Sequence, residues 1–139
     1  MSTILIVDDK AVFREPVAAM LRHRGHRTLC AGSGREAMAV MERGGPPDLI
    51  LLDVAMPEMD GLTFLRAVRT RPGWERLPVI LMTAMTEEAC LTAGRELGVR
   101  CHLLKSHFSL AEMAATVDEH LAPAGGKAPG ADGLVHKAG

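Results

Sequence analysis

Five short apolar runs punctuate the chain: Thr3–Val7, Thr28–Ala31, Leu49–Leu52, Val79–Met82 and Cys101–Leu104. Each is continuous rather than alternating and rich in Ile, Val and Leu, the pattern of a strand buried on both faces. Between the runs, apolar residues recur at helical spacing. Phe13, Val17, Met20 and Leu21 form one such set, Ala37, Val40 and Met41 a second, and Leu110, Met113, Val117 and Leu121 a third. Ser33-Gly34-Arg35-Glu36 and Ser109-Leu110-Ala111-Glu112 read as capping boxes, and Asp60 and Thr86 as N-caps of two further helices. Five strands alternating with five helices predict an α/β fold, a doubly wound parallel sheet with helices on both faces. Pro16 has no N–H and sits comfortably only in a first helical turn. The first helix is therefore expected to begin near Phe13, or to kink if it begins earlier.

The length of 139 residues fits one domain. That domain is expected to occupy 1–121, because residues 122–139 hold five Gly, two Pro and no periodic apolar pattern. The latter segment reads as a flexible tail or the start of a linker. A formal charge of −1 gives no global reason to expect nucleic acid or an anionic membrane as partner. No apolar run approaches the ~20 residues of a spanning helix. Met1-Ser2-Thr3 offers no basic segment, so no signal peptide is expected. Three widely spaced cysteines fit neither a disulfide framework nor a metal quartet. These features together predict a cytoplasmic protein.

In a parallel sheet, functional groups collect at the carboxyl ends of the strands. The first run ends in Asp8-Asp9, the third in Asp53, the fourth in Thr83-Ala84 and the fifth in Lys105. Carboxylates about 5 Å apart at an effective dielectric near 20 repel by roughly 3 kcal/mol per pair. Three carboxylates and one ammonium sum to −2, which one divalent cation cancels. Hard oxygen donors that leave room for water suit Mg²⁺. A carboxylate beside Mg²⁺, an ammonium and a hydroxyl suggests phosphoryl transfer onto the carboxylate itself. Such transfer chiefly needs positioning and donors to the phosphoryl oxygens. Lys105, the Thr83 hydroxyl and the Ala84 backbone N–H can each supply one.

Asp8-Asp9 after an apolar strand, Leu49-Ile50-Leu51-Leu52-Asp53, Met56-Pro57-Glu58-Met59-Asp60-Gly61, Thr83-Ala84 and Lys105 together resemble the receiver domain of two-component response regulators. The single-domain chemotaxis type is the nearest in kind, and the resemblance covers about 2–121. It implies a flavodoxin-like sheet of order 2-1-3-4-5. It further implies Asp53 as phosphoacceptor, with Asp9, Asp53 and the Ala55 carbonyl as Mg²⁺ ligands and Asp8 acting through water. Lys105 would pair with the phosphoryl group and Thr83 would swing toward it. The implied partner is a sensor histidine kinase or phosphotransfer protein. The surface of roughly 85–97 with 101–110 is the candidate for partner docking or self-association, the latter as a homodimer through the fourth helix, fifth strand and fifth helix, and no catalysis is expected beyond the protein's own phosphorylation and dephosphorylation.

Four positions depart from the family pattern. Lys105 precedes Ser106 rather than proline, so a trans peptide is expected, or a strained cis one. His102 takes the switch position where Tyr or Phe is usual, and reads equally as a half-exposed edge-strand residue. Ala55 and Met85 are apolar where groups governing water attack often stand. The cluster Arg22, His23, Arg24, His26, Arg27 is expected to face solvent beside a helix C-terminus. Trp74 is expected to cover apolar surface locally, and Cys30, Cys90 and Cys101 to act as small apolar fillers. Two rival functions remain open at this point: a receiver-like scaffold that is never phosphorylated, and a small aspartyl-phosphate hydrolase. Ala55 argues against the second, since no carboxylate stands two residues past Asp53 as general acid.

Overall fold

The computed structural model describes residues 2–54, 61–83, 88–105 and 109–121. Five strands, β1 (Thr3–Val7), β2 (Arg27–Ala31), β3 (Leu49–Asp53), β4 (Val79–Thr83) and β5 (Cys101–Leu104), form one parallel sheet of order β2-β1-β3-β4-β5. Five helices alternate with them: α1 (Ala11–His23), α2 (Gly34–Gly44), α3 (Gly61–Arg69), α4 (Glu88–Glu96) and α5 (Leu110–His120). This is the doubly wound, flavodoxin-like arrangement expected from the sequence.

Strand residues alternate between faces, and the parallel register keeps each face in step. Leu5 lies opposite Ile50, and Leu52 opposite Leu81. These residues pack with Ala37 and Met41 of α2 and with Phe64, Leu65 and Val68 of α3. On the other face, Ile4, Ile6, Leu51, Ile80, Met82 and Leu103 pack with Val17, Ala18 and Leu21 of α1 and Met113 and Val117 of α5. The inner strands β1, β3 and β4 are buried almost throughout. β2 departs from the two-faced burial expected of it. It borders only β1, so Arg27 is exposed and Thr28, Leu29 and Cys30 are half-buried.

Three local expectations are corrected. The first helix begins at Ala11 rather than near Phe13, and Pro16 lies inside it. The Lys10 carbonyl accepts from both Phe13 N (3.0 Å) and Arg14 N (2.9 Å), which closes the first turn early. Pro16 then removes only the bond to the Val12 carbonyl, on a residue that is 83% exposed and open to water. The second correction concerns Ser33, which caps Glu36 N as predicted. The Glu36 carboxylate, however, reaches Gly32 N (2.7 Å), one residue before the cap, so the box is not reciprocal. Third, the basic cluster does more than face solvent. Arg24 and His26 both pair with Asp118, tying the end of α1 to α5. The predicted N-caps Asp60 and Thr86, the tail 122–139 and Cys90 lie outside what can be described.

At Ser109 the capping box is complete, with Ser109 Oγ accepting from Glu112 N (3.1 Å) and Glu112 Oε1 from Ser109 N (2.9 Å). Ser109→Ala is expected to cost about 1 kcal/mol, read as a fall of a few degrees in Tm; an unchanged melt would show the box to be idle. Trp74 is buried as expected, with the Arg71 guanidinium 5.1 Å from its ring centroid. Arg69 donates from Nε to the Leu97 carbonyl (2.7 Å) and from Nη1 to that of Trp74 (3.2 Å), which fixes the end of α4. Among the described residues no helix is long and apolar enough to cross a membrane.

Candidate functional site

The site follows from strand alternation. Asp8, Asp53 and Lys105 share the parity of Ile6, Leu51 and Leu103, so all three side chains leave the sheet edge on the α1/α5 side. The ladder holds them there: Asp8 N donates to the Ala31 carbonyl (3.0 Å), Val54 N to that of Met82 (3.1 Å) and Lys105 N to that of Thr83 (2.8 Å). Asp8 is fully buried and Asp53 nearly so.

The Lys105 ammonium lies 2.8 Å from Asp8 Oδ2 and 3.4 Å from Asp53 Oδ1. Asp8 Oδ1 accepts from Lys10 N (2.9 Å), and Asp9, more open, pairs loosely with Lys10 Nζ at 3.7 Å. One carboxylate oxygen from each of Asp8, Asp9 and Asp53 falls within 4.8 Å of the others. Asp53 Oδ2 is buried and has no hydrogen-bond partner among the described residues. A cluster of close carboxylates with a spare buried oxygen fits a hard divalent cation.

Burial, then the nearby Asp8 charge, push the Asp53 carboxyl up to about 6, against the opposing pull of Lys105. The folded state therefore holds this proton more tightly than the unfolded chain, whose value is 3.8. Stability falls as pH rises through the window from about 4 to about 6, by at most about 3 kcal/mol. Asp53→Asn removes that penalty. Without divalent metal, the variant is expected to melt above the wild type at neutral pH and to converge with it below pH about 4. Equal melting temperatures across the range would contradict the shifted carboxyl.

Four of the predicted site residues, Asp8, Asp9, Asp53 and Lys105, thus converge. Thr83, the buried last residue of β4, follows Met82, which pairs with Asp53 in register. Ala55, Ala84, Met85 and Ser106 lie outside the described residues, and with them the predicted backbone ligand, the N–H donor and the Lys105–Ser106 peptide. His102 is 1% exposed, which overturns the half-exposed reading. It points away from Lys105, beneath α4, where a Cβ on Gly94 would come within 2.6 Å of His102 Nε2.

Sequence reasoning missed three contributors. Phe13, assigned only to the core, places its ring centroid 4.4 Å from Lys105 Nζ. Arg14 donates from Nη1 to the Asp8 carbonyl (2.6 Å). Gly61 donates its N–H to the Val54 carbonyl (2.8 Å), and a Cβ there would overlap the Asp53 carbonyl oxygen and lie 2.9 Å from Val54 Cα. Gly61 closes the 56–61 motif that carries the family resemblance, but nothing in that motif announces its close approach to β3.

Comparisons with known proteins agree on the family and the fold. The family model described as the response regulator receiver domain matches residues 4–118. The probable chemotaxis protein CheY of Rhizobium etli is 33% identical over 116 residues, covering 83% of this chain and 88% of that protein. The sensory transduction protein RegX3 of Mycolicibacterium smegmatis is 34% identical over 117 residues, covering 84% of this chain; the chain spans about half of that relative's length, 49%. Among solved structures, Vibrio cholerae CheY4 superposes with a TM-score of 0.80 at 30% identity, covering 86% of this chain and 98% of that one. The Mn²⁺-bound response regulator Rcp1 superposes with a TM-score of 0.77 at 28% identity, covering 93% and 99%.

Proposed function

This chain belongs to the response regulator receiver domain family of two-component systems, and from that premise we propose that it is a phosphorylation-dependent switch with Asp53 as phosphoacceptor. The observation that carries the proposal is the single ammonium of Lys105 set between two buried carboxylates, with a third carboxylate alongside. In this reading an Asp53 oxygen attacks the phosphorus of a phosphohistidine on a sensor histidine kinase or phosphotransfer protein. The P–N bond breaks, its electron pair returns to the imidazole, and an aspartyl phosphate remains.

Asp8, Asp9 and Asp53 would hold Mg²⁺, with the Ala55 carbonyl as a further ligand and Asp8 through water; a Mn²⁺-bound relative of the same fold supports this choice. Bound there, the cation offsets the carboxylate charge and stabilises negative charge on the phosphoryl oxygens. Lys105 shifts from Asp53 to one phosphoryl oxygen, the Thr83 hydroxyl donates to another, and the Ala84 N–H to the third. The protein turns over no substrate beyond its own phosphorylation and dephosphorylation, and works in the cytoplasm.

His102 packs against Gly94 of α4 and shares a sheet face with Thr83, and in this reading recruitment of Thr83 toward the phosphoryl group is passed to α4 through His102. The proposed output surface lies within 85–97 and 101–110, where Cys101, His102 and Leu103 are buried and act from beneath it, and is offered to a partner or, with α5, to a second copy of the chain. Incubation with acetyl phosphate and Mg²⁺ tests the reading by intact mass. One phosphoryl adduct is expected on the wild type and none on Asp53→Asn. No adduct under any condition supports the scaffold, and multiple turnover of an unrelated phosphate ester the hydrolase.

A further inference from the structure

A lysine ammonium carries three N–H donors, and in a site nearly closed to water each direction needs an attractive neighbour. The Lys105 side chain is only 15% exposed. The carboxylate oxygens Asp8 Oδ2 and Asp53 Oδ1 flank it as ion-pair partners, at 2.8 and 3.4 Å. A further side is covered by the Phe13 ring, 4.4 Å from centroid to Nζ. The negative face of an aromatic ring attracts a cation, most strongly where water is scarce. The ring is held in place by its own turn, in which the Lys10 carbonyl accepts from Phe13 N and Arg14 N while Arg14 Nη1 grips the Asp8 carbonyl.

We propose that Phe13 is a positioning residue for phosphoryl transfer: its ring holds the Lys105 ammonium while that ammonium moves from the Asp53 carboxylate to the incoming phosphoryl oxygens. This role rests on the reading of Asp53 as phosphoacceptor. The physical advantage lies in the weak directionality of the contact. A third carboxylate would fix the ammonium and add charge to a cup that already sums to −2. A water would place a nucleophile beside a reactive acyl phosphate. The ring does neither, and it lets the ammonium slide across its face without losing a partner.

The test uses the full chain at saturating Mg²⁺, with acetyl phosphate as donor and adduct formation followed by intact mass. Phe13→Tyr keeps the aromatic face and is expected to match the wild-type rate within about twofold, whereas Phe13→Leu keeps apolar bulk and is expected to slow the maximal rate by about three- to tenfold. A proton NMR signature accompanies this split. The Lys105 ε-methylene resonances should sit upfield under the ring current in the wild type and Phe13→Tyr, and return toward ordinary values in Phe13→Leu. Should Phe13→Leu fail to fold, pentafluorophenylalanine installed at Phe13 retains the ring shape with the face potential reversed, and is expected to slow transfer similarly. An undiminished rate of adduct formation in Phe13→Leu or in the pentafluorophenylalanine protein, or unshifted ε-methylene resonances in the wild type, overturns the role of Phe13 alone. Absence of adduct in every sample, wild type included, overturns the phosphoacceptor reading and this role with it.

Discussion

Gly61→Ala is expected to destabilise the protein by about 3 kcal/mol, because overpacking against backbone leaves no flexible side chain to yield. The added Cβ would overlap the Asp53 carbonyl oxygen and approach Val54 Cα to 2.9 Å. The start of α3 therefore lies directly on the strand end that presents the proposed phosphoacceptor. Relief requires α3 to lift or the β3 terminus to shift, and either breaks the 2.8 Å bond from Gly61 N to the Val54 carbonyl. The variant should thus lose phosphorylation rate as well as stability, even in its folded fraction. Gly44→Ala is the matched control. Nothing lies within 4 Å of a Cβ there, at the end of α2. Alanine favours the helix by up to about 1 kcal/mol, so the control is expected to be neutral or slightly stabilising. Chemical denaturation of both variants decides the matter, and equal midpoints would contradict the close approach at Gly61.

The second large effect is expected at Lys105→Met, which keeps an unbranched side chain of similar reach and removes the charge. Asp8 and Asp53 are both buried, and Lys105 is the cation set between them. Breaking a buried ion pair from one side costs about 3–5 kcal/mol, because the remaining charge stays desolvated. The Asp53 carboxyl stands at about 6 even with Lys105 pulling it down, so loss of the ammonium pushes that group further up. The sign of the pH dependence follows. The deficit is largest above pH 6, where the wild-type carboxyl is ionised, and shrinks as falling pH protonates Asp53 in both proteins. Added Mg²⁺ should raise the Tm of Lys105→Met more than that of the wild type, since the variant cup sums to −3 rather than −2. A variant as stable as the wild type at neutral pH, with no larger response to Mg²⁺, would show that the ammonium does not hold the carboxylates together.

The sheet and most of the cup were legible because both rest on short-range regularities. A continuous run of Ile, Val and Leu marks a strand buried on two faces, and the residue that ends it must emerge at the sheet's carboxyl edge. Asp8, Asp53 and Lys105 could be placed that way without knowledge of any contact. The unread features depend on packing between distant segments. Nothing local to Phe13 announces that its ring meets a lysine on the opposite side of β3 and β4, and helical spacing assigns it equally well to the core. The clearance at Gly61 likewise depends on how closely α3 approaches β3. His102 reads as half-exposed on an edge strand until Gly94 shows that α4 lies directly over it. Pro16 misled for a related reason: the rule about its missing N–H is local, but the exposure of Val12, which makes the lost bond tolerable, is not.

The most direct measurement locates the phosphoryl group itself. Borohydride reduction converts an aspartyl phosphate to homoserine, and peptide mass spectrometry then reports which of the clustered aspartates carried it. After incubation with acetyl phosphate, homoserine is predicted at position 53, in samples containing Mg²⁺ and not in those treated with chelator. Homoserine at position 8 or 9 instead, or labelling of Asp53 that is indifferent to chelator, would contradict the account.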